Sequence, residues 1–381
     1  MWGKLRPVGS RIPVAHKILS TGQFPWHQNY RAEFTASGTQ ALAMAVAFAA
    51  SRKKSVSAPE IIIPAYGCPD LVAAIIAGGG KPVLVDLKPG TGFMNESQLR
   101  GAVTTRTVAV VAVALLGTPE RLDILSKICR ELRLFLIEDA AQCFPPASTE
   151  SAWADAVILS FGRGKPINLM GGGALLVRNE IYEESKSVID QFPRMEARLG
   201  LVWRLKRRLF HLLMARIPYL VLEKLPFFGI GDTKYHKCSA VIRLALPESL
   251  VHAGIDDFRA RPLVYPLYDR ELKGLERSGW TILGDSSRSP NLPRIRYGLL
   301  APTQRLRDEA LLALNNSGIG ASRFYGQALP GIEGLKEICG PARFPVAEDF
   351  AARLLTLPCH EDVQAEDVAL VARILKGQSS H

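Results

Sequence analysis

The 381-residue chain carries 47 lysines and arginines against 36 acids, a formal charge of +11, with 48% hydrophobic and 22% charged residues. That balance excludes a disordered polypeptide, and the length favours two domains over one. The six cysteines are scattered without a C-x-x-C pair, which excludes a sequence-evident disulfide framework and predicts reduced thiols in the cytoplasm.

The N-terminus, MWGKLRPVGSRIPVAHKILS, is basic but has no apolar run and no small-residue cleavage site, so it does not read as a secretory signal. Ser37 to Ala50 reads as a buried helix, Ile61 to Ile63 as a strand closed by Pro64, and Asp70 to Ala77 as a helix running into three glycines. Val83 to Asp86 is a strand. Asn95 opens a helix to Gly101, with Gln98 in the position of a capping box. Val108 to Leu116 is one apolar run, the pattern of a strand covered on both faces. Pro119 to Leu132 is amphipathic, with Leu122, Leu125, Ile128, Cys129 and Leu132 on one stripe. Leu134 to Ile137 leads into Glu138-Asp139, and Ala156 to Phe161 and Ala174 to Val177 follow as strands. Strands alternating with helices predict an α/β fold with a mainly parallel sheet, whose working residues lie at the carboxyl ends of strands.

From Arg194 to Gly231 the alternation breaks. Arg198, Arg204, Lys206, Arg207, Arg208 and Arg216 occur with no acid among them. A nucleic-acid reader would add a recognition motif or interleaved aromatics, and neither is present. Leu201, Leu205, Leu209, Leu212 and Leu213 fall on one helical face, with Arg204, Arg207, Arg208 and His211 largely on the other. Two readings stand: an interfacial helix meeting anionic lipid or a lipid-linked substrate, with Trp203, Phe227 and Phe228 in support, or a packing helix of a dimer or domain whose basic face is solvated or contacts phosphates. Packing helices are commoner, which makes the second the expectation. Pro293 to Leu300, Thr303 to Ser317 and Ala365 to Lys376 return to strand, helix and helix. A boundary near residue 245, within about twenty residues, divides a large domain, 1–245, from a small one, 246–381. No run reaches about 18 apolar residues, so no spanning helix is predicted.

Three short motifs carry chemistry. Ser37-Gly38-Thr39 precedes a helix: its amides and hydroxyls form a phosphate cradle, or Ser37 is a plain N-cap. Asp139 ends a strand in IEDAAQ, where a carboxylate suits a pyridinium nitrogen, a helix cap or a metal. Gln142 beyond it suits a phenolic oxygen. Lys165 closes Ser160-Phe161-Gly162-Arg163-Gly164-Lys165, where a partly desolvated amine becomes nucleophilic toward an aldehyde. A Walker loop is excluded, because Pro166 follows the lysine. His236-Lys237-Cys238 and Cys359-His360-Glu361 lack a second pair at metal-ligand spacing, so no metal is expected.

In order and spacing the chain resembles the DegT/DnrJ/StrS family of pyridoxal-phosphate-dependent sugar aminotransferases. The resemblance rests on Ser37 to Leu42 (S-G-T-x-A-L), Pro64 to Tyr66, Val85-Asp86, Glu138 to Gln142 (E-D-A-A-Q), Ser160 to Lys165 (S-F-x-x-x-K) and the closing LLTLPCHEDVQAEDV. It implies the type I aminotransferase fold, a homodimer, and pyridoxal 5'-phosphate held as a Schiff base on Lys165, which also shuttles protons. It further implies Asp139 on the pyridine nitrogen, Gln142 on the phenolic oxygen, and Ser37, Gly38, Thr39 and Ser160 around the phosphate. The implied reaction moves an amino group, usually from glutamate, to a ketosugar that is often nucleotide-linked, in making surface polysaccharide or glycosides. Relatives that dehydrate deoxysugars replace the lysine by histidine, so Lys165 speaks against that reaction. A non-catalytic membrane-associated scaffold is the rival of another class.

The match departs in places. The family's ring-stacking aromatic is Cys68 here, leaving Tyr66 or the thiol edge to face the ring. Its G-E-G-G is Met170-Gly171-Gly172-Gly173. The segment that reaches the partner's cofactor phosphate is not recognisable. Arg323 and Tyr325, in ASRFYG, are candidates for the substrate side of the cleft.

Overall fold

The computed structural model describes residues 3–13, 22–223, 233–284 and 292–378. Its strands are β1 (Tyr30–Thr35), β2 (Glu60–Pro64), β3 (Lys81–Val85), β4 (Thr107–Val113), β5 (Phe135–Asp139), β6 (Ala156–Ser160), β7 (Gly173–Arg178), β8 (Arg194–Glu196), β9 (Arg243–Ala245), β10 (Thr281–Leu283), β11 (Arg296–Leu300) and β12 (Leu354–Pro358). Among the described residues, nine form one sheet in the order β3-β2-β4-β5-β6-β7-β1-β9-β8, and the last three form an antiparallel sheet in the order β10-β11-β12. Strands β3, β2, β4, β5 and β6 are mutually parallel, while β7 runs antiparallel to both β6 and β1.

The parallel strands are covered on both sides, which is why β2, β4 and β5 are buried at every residue. One apolar cluster, including Ile62, Val110, Leu136 and Val157, lies on one face; Ile61, Val111, Ile137 and Ile158 alternate onto the other. On the second face sits the helix Gly38–Ser51. Its Ala41, Ala43, Ala45 and Ala49 are buried and let it pack close to β6 and β7 and to the helix Asp70–Ala77.

Local chemistry explains where the elements differ from expectation. The helix Glu96–Ala102 is capped by Asn95, whose side chain accepts from the Ser97 and Gln98 amides. The return half of the capping box is absent: the Gln98 side chain accepts from the Asp86 amide at 3.2 Å, and the Asn95 amide donates to the Asp86 carbonyl. The run expected to stay extended to Leu116 leaves the sheet at Val113, because Leu116 takes φ 55° in a turn and gives its amide to Gln142 Oε1.

The basic segment forms the helices Leu201–Leu213 and Arg216–Glu223. The leucine face does not pack against the rest of this chain, so of the expected packing roles the one within the chain is not met. Leu201, Leu205, Leu209 and Leu212 are 72, 53, 54 and 61% exposed. The inward side is the mixed one: Trp203 joins the core, Arg207 donates to the Ile12 carbonyl, and His211 Nε2 accepts from the Ile12 amide. Phe227 and Phe228 lie outside the described residues. No described helix is long and apolar enough to cross a membrane.

Candidate active site

The carboxyl ends of β4, β5 and β6 open on a narrow cleft of about 60 Å³. Its lining brings together Gly38, Thr39, Cys68, Asp139, Gln142 and Ser160, which are distant in sequence. Lys165 and Tyr325 complete the wall.

Alternation along β5 aims the two acids of Glu138-Asp139 to opposite sides. Glu138 accepts the Ala147 and Ser148 amides at 2.8 and 3.0 Å and serves the loop behind the sheet. Asp139 faces the cleft, where its Oδ1 accepts the Ala141 amide at 3.0 Å. Burial raises the Asp139 pKa above the ordinary carboxylate value; the Ala141 amide and the Lys165 charge pull against that, and the Asp70 charge adds to it. A buried carboxylate in that condition is poised to pair with a cation brought into the cleft.

Ser37 caps the helix Gly38–Ser51, its hydroxyl accepting the Gln40 amide at 3.2 Å. The close approach of this helix to β6 depends on glycine: a Cβ on Gly38 would lie 2.7 Å from Ser160 Cβ. The N-terminus of the helix, with its partial positive charge, therefore stands beside the Ser160 hydroxyl at the cleft floor. After β6, Gly164 takes φ 75° and the Lys165 amide closes a turn onto the Gly162 carbonyl at 3.3 Å. This turn delivers Lys165 to the cleft.

Gln142 is fixed in orientation. Its Oε1 accepts the Leu116 amide at 3.1 Å and its Nε2 donates to the Tyr325 hydroxyl at 2.9 Å, which leaves the second N–H for another acceptor. Burial, with a contribution from the Asp70 charge, pushes the Cys68 thiol up to about 12, so it stands protonated in the wall.

Three expected residues fall outside the lining. Ser37 caps the helix that faces the cleft, its hydroxyl accepting the Gln40 amide and keeping its own proton to donate. Tyr66 is 1% exposed and packs edge-on to Phe350 with ring centroids 5.0 Å apart, behind the cleft, so its ring is not part of the lining. Arg323 is exposed and outside the lining, separated from Tyr325 by Phe324 at φ 59°. One residue was missed. Asp70 lines the cleft and accepts a hydrogen bond from the Thr39 hydroxyl at 3.1 Å. In sequence Pro69-Asp70 reads only as the start of a helix.

A larger depression of about 530 Å³ lies between Arg6, His211, Arg216 and Asp362. Its cations are already engaged, Arg6 with Glu361 and Asp362 and Arg216 with Asp367, so it ties the chain together.

The family model of the DegT/DnrJ/EryC1/StrS aminotransferases matches residues 26–376. A Pseudomonas aeruginosa relative, UDP-2-acetamido-2-deoxy-3-oxo-D-glucuronate aminotransferase, is 29% identical over 138 residues, which are 35% of this chain and 38% of that relative. A Streptococcus pneumoniae structure described as a sugar aminotransferase in its PLP form is 18% identical, with 99% of each chain covered and a TM-score of 0.71. Helicobacter pylori PseC, an aminotransferase involved in the biosynthesis of pseudoaminic acid, is 17% identical over 99% of each chain, with a TM-score of 0.67. These structures share the fold of this chain.

Proposed function

Because the chain belongs to the DegT/DnrJ/EryC1/StrS aminotransferase family, we propose that it moves an amino group from an amino acid, with glutamate as the expected donor, to a keto group of a sugar or nucleotide sugar, using pyridoxal 5'-phosphate. The convergence of Lys165, Asp139, Ser160 and the N-terminus of the helix Gly38–Ser51 on one cleft carries this reading. We take the working form to be a cytoplasmic homodimer. We divide the chain after the helix Glu248–Arg259, within the span expected around residue 245, because Leu250, Val251, Ile255 and Phe258 join the core of the large sheet.

The residues fit the cofactor by their chemistry. The space kept open by Gly38, with the first-turn amides and the Ser160 hydroxyl, suits a phosphate. Thr39 is the weaker contributor, since its hydroxyl is given to Asp70. Asp139 suits a protonated ring nitrogen, and the remaining Gln142 N–H suits the phenolic oxygen. When bound, pyridoxal phosphate supplies the electron sink that makes the donor's Cα–H acidic. Lys165 is the amine that would hold the cofactor's carbonyl carbon, and as a free amine it would serve as the base toward the donor Cα proton. Asp139 keeps the ring-nitrogen proton in place, and the apolar wall of Leu42, Leu71 and Val113 excludes water.

Purified full-length protein mixed with pyridoxal phosphate is expected to gain a visible absorption band that L-glutamate bleaches, and Lys165→Ala is expected not to form the protein-linked band. A wild type that stays colourless overturns the proposal and moves the non-catalytic scaffold to the front.

A further inference from the structure

The helices Leu201–Leu213 and Arg216–Glu223 carry seven of the ten large apolar side chains that stand exposed among the described residues. Leu201, Val202, Leu205, Leu209 and Leu212 recur at helical steps along one outward arc, and Ile217 and Val221, 63 and 58% exposed, continue the run on the next helix. On the first helix, exposed Arg204 and Arg208 border the arc on one side and exposed Lys206 on the other. The opposite side is held by the fold: Trp203 packs on the core, Phe210 lies under the Arg163 guanidinium, and Arg207 and His211 bond to Ile12. The leucines are therefore fixed pointing outward.

We propose that this surface docks the protein peripherally on an anionic lipid membrane, with the leucine arc entering the headgroup boundary and Arg204, Lys206 and Arg208 meeting lipid phosphates. Charge complementarity selects this occupant. Residues 198 to 216 contain no acid, so a twofold contact with a second copy would set like charges beside one another around the leucines. An anionic bilayer supplies both an apolar layer and the missing negative charge. The apolar run is confined to helices too short to span, which limits the contact to the surface.

The test is flotation of the full-length protein with vesicles of phosphatidylglycerol and phosphatidylcholine in equal parts, against vesicles of phosphatidylcholine alone. Wild type is expected to float with the anionic vesicles, and to partition about tenfold less at high salt or on neutral vesicles. Leu205→Glu/Leu209→Glu is expected to abolish flotation, and Arg204→Gln/Arg208→Gln to weaken it. Both variants should keep wild-type circular dichroism and the pyridoxal phosphate band, since neither pair lines the cleft. Wild type that stays unbound, or a Leu205→Glu/Leu209→Glu variant that floats like wild type, overturns the proposal. An oligomer that Leu205→Glu/Leu209→Glu dissociates, with no vesicle binding by wild type, assigns the face to a second copy and overturns it as well.

Discussion

Asp139 shows how one residue trades stability for a site. Its carboxylate is buried against a single amide, which raises its pKa; bringing in a cation would relieve that cost. Asp139→Asn keeps an oxygen for the Ala141 amide and removes the buried charge. The cofactor-free variant is expected to gain about 1 kcal/mol, read as a higher Tm, while its affinity for pyridoxal phosphate falls at least tenfold by absorbance titration. Affinity for the cofactor in the wild type should also drop as pH falls through the raised Asp139 pKa, because a protonated carboxyl no longer attracts the ring cation. Asp139→Asn should lack that dependence. An unchanged affinity in the variant would remove Asp139 from the ring-nitrogen role. The sequence made Asp139, Gln142 and Lys165 legible because their motifs keep fixed spacings around strand ends. Asp70 was not legible: its place in the cleft depends on how the helix Asp70–Ala77 docks against Thr39, a contact between segments 31 residues apart.

At the scale of elements, the helix Gly38–Ser51 is positioned by a close approach that tolerates no side chain at its first residue. Gly38→Ala must push Ser160 or the helix away, at about 1–3 kcal/mol of stability, and should weaken binding of the cofactor phosphate more than that of a pyridoxal analogue lacking it. Ser37→Ala removes only the cap on the Gln40 amide and should cost about 1 kcal/mol in chemical denaturation. Equal effects of the two substitutions on phosphate binding would argue against the close approach as the determinant. Helix starts and buried strands were legible because caps and apolar runs are local signals. The capping box at Asn95 formed only by half because Gln98 found a nearer donor in Asp86. The helix Leu201–Leu213 was legible as amphipathic, yet periodicity gives two faces without saying which points inward. Ile12, almost 200 residues away, decides it by binding Arg207 and His211.

Across the whole molecule, the N-terminal residues, the basic helices and the chain's end are laced together near His360. Arg6 donates to the Gly9 and Met214 carbonyls and pairs with Glu361 and Asp362, while Arg216 binds Asp367 at 2.6 Å. His360 lies at the centre, 5% exposed, with Nε2–H donating to the Arg6 carbonyl at 2.9 Å and Nδ1 accepting the Asp362 amide at 3.3 Å. A second ring proton would face that amide N–H. Burial first, and the Arg6 charge next, lower the His360 pKa from 6.5 to about 3. The unfolded chain therefore binds more protons than the folded one throughout that window, so stability rises with pH there. The contribution is complete above about 6.5 and is lost as pH falls toward 3, at no more than about 1.4 kcal/mol per pH unit. Asp362 does not account for the upper part of this loss. Burial raises its pKa, but the Arg6 hydrogen bond and charge prevail and hold it below 3.8, so its contribution disappears only below that value. His360→Gln can still donate to the Arg6 carbonyl without titrating. It is expected to be about 1–2 kcal/mol less stable at pH 7, with a flatter fall in urea midpoint between pH 6.5 and 4. A variant that loses stability with acid as steeply as wild type would mean that another group carries the titration.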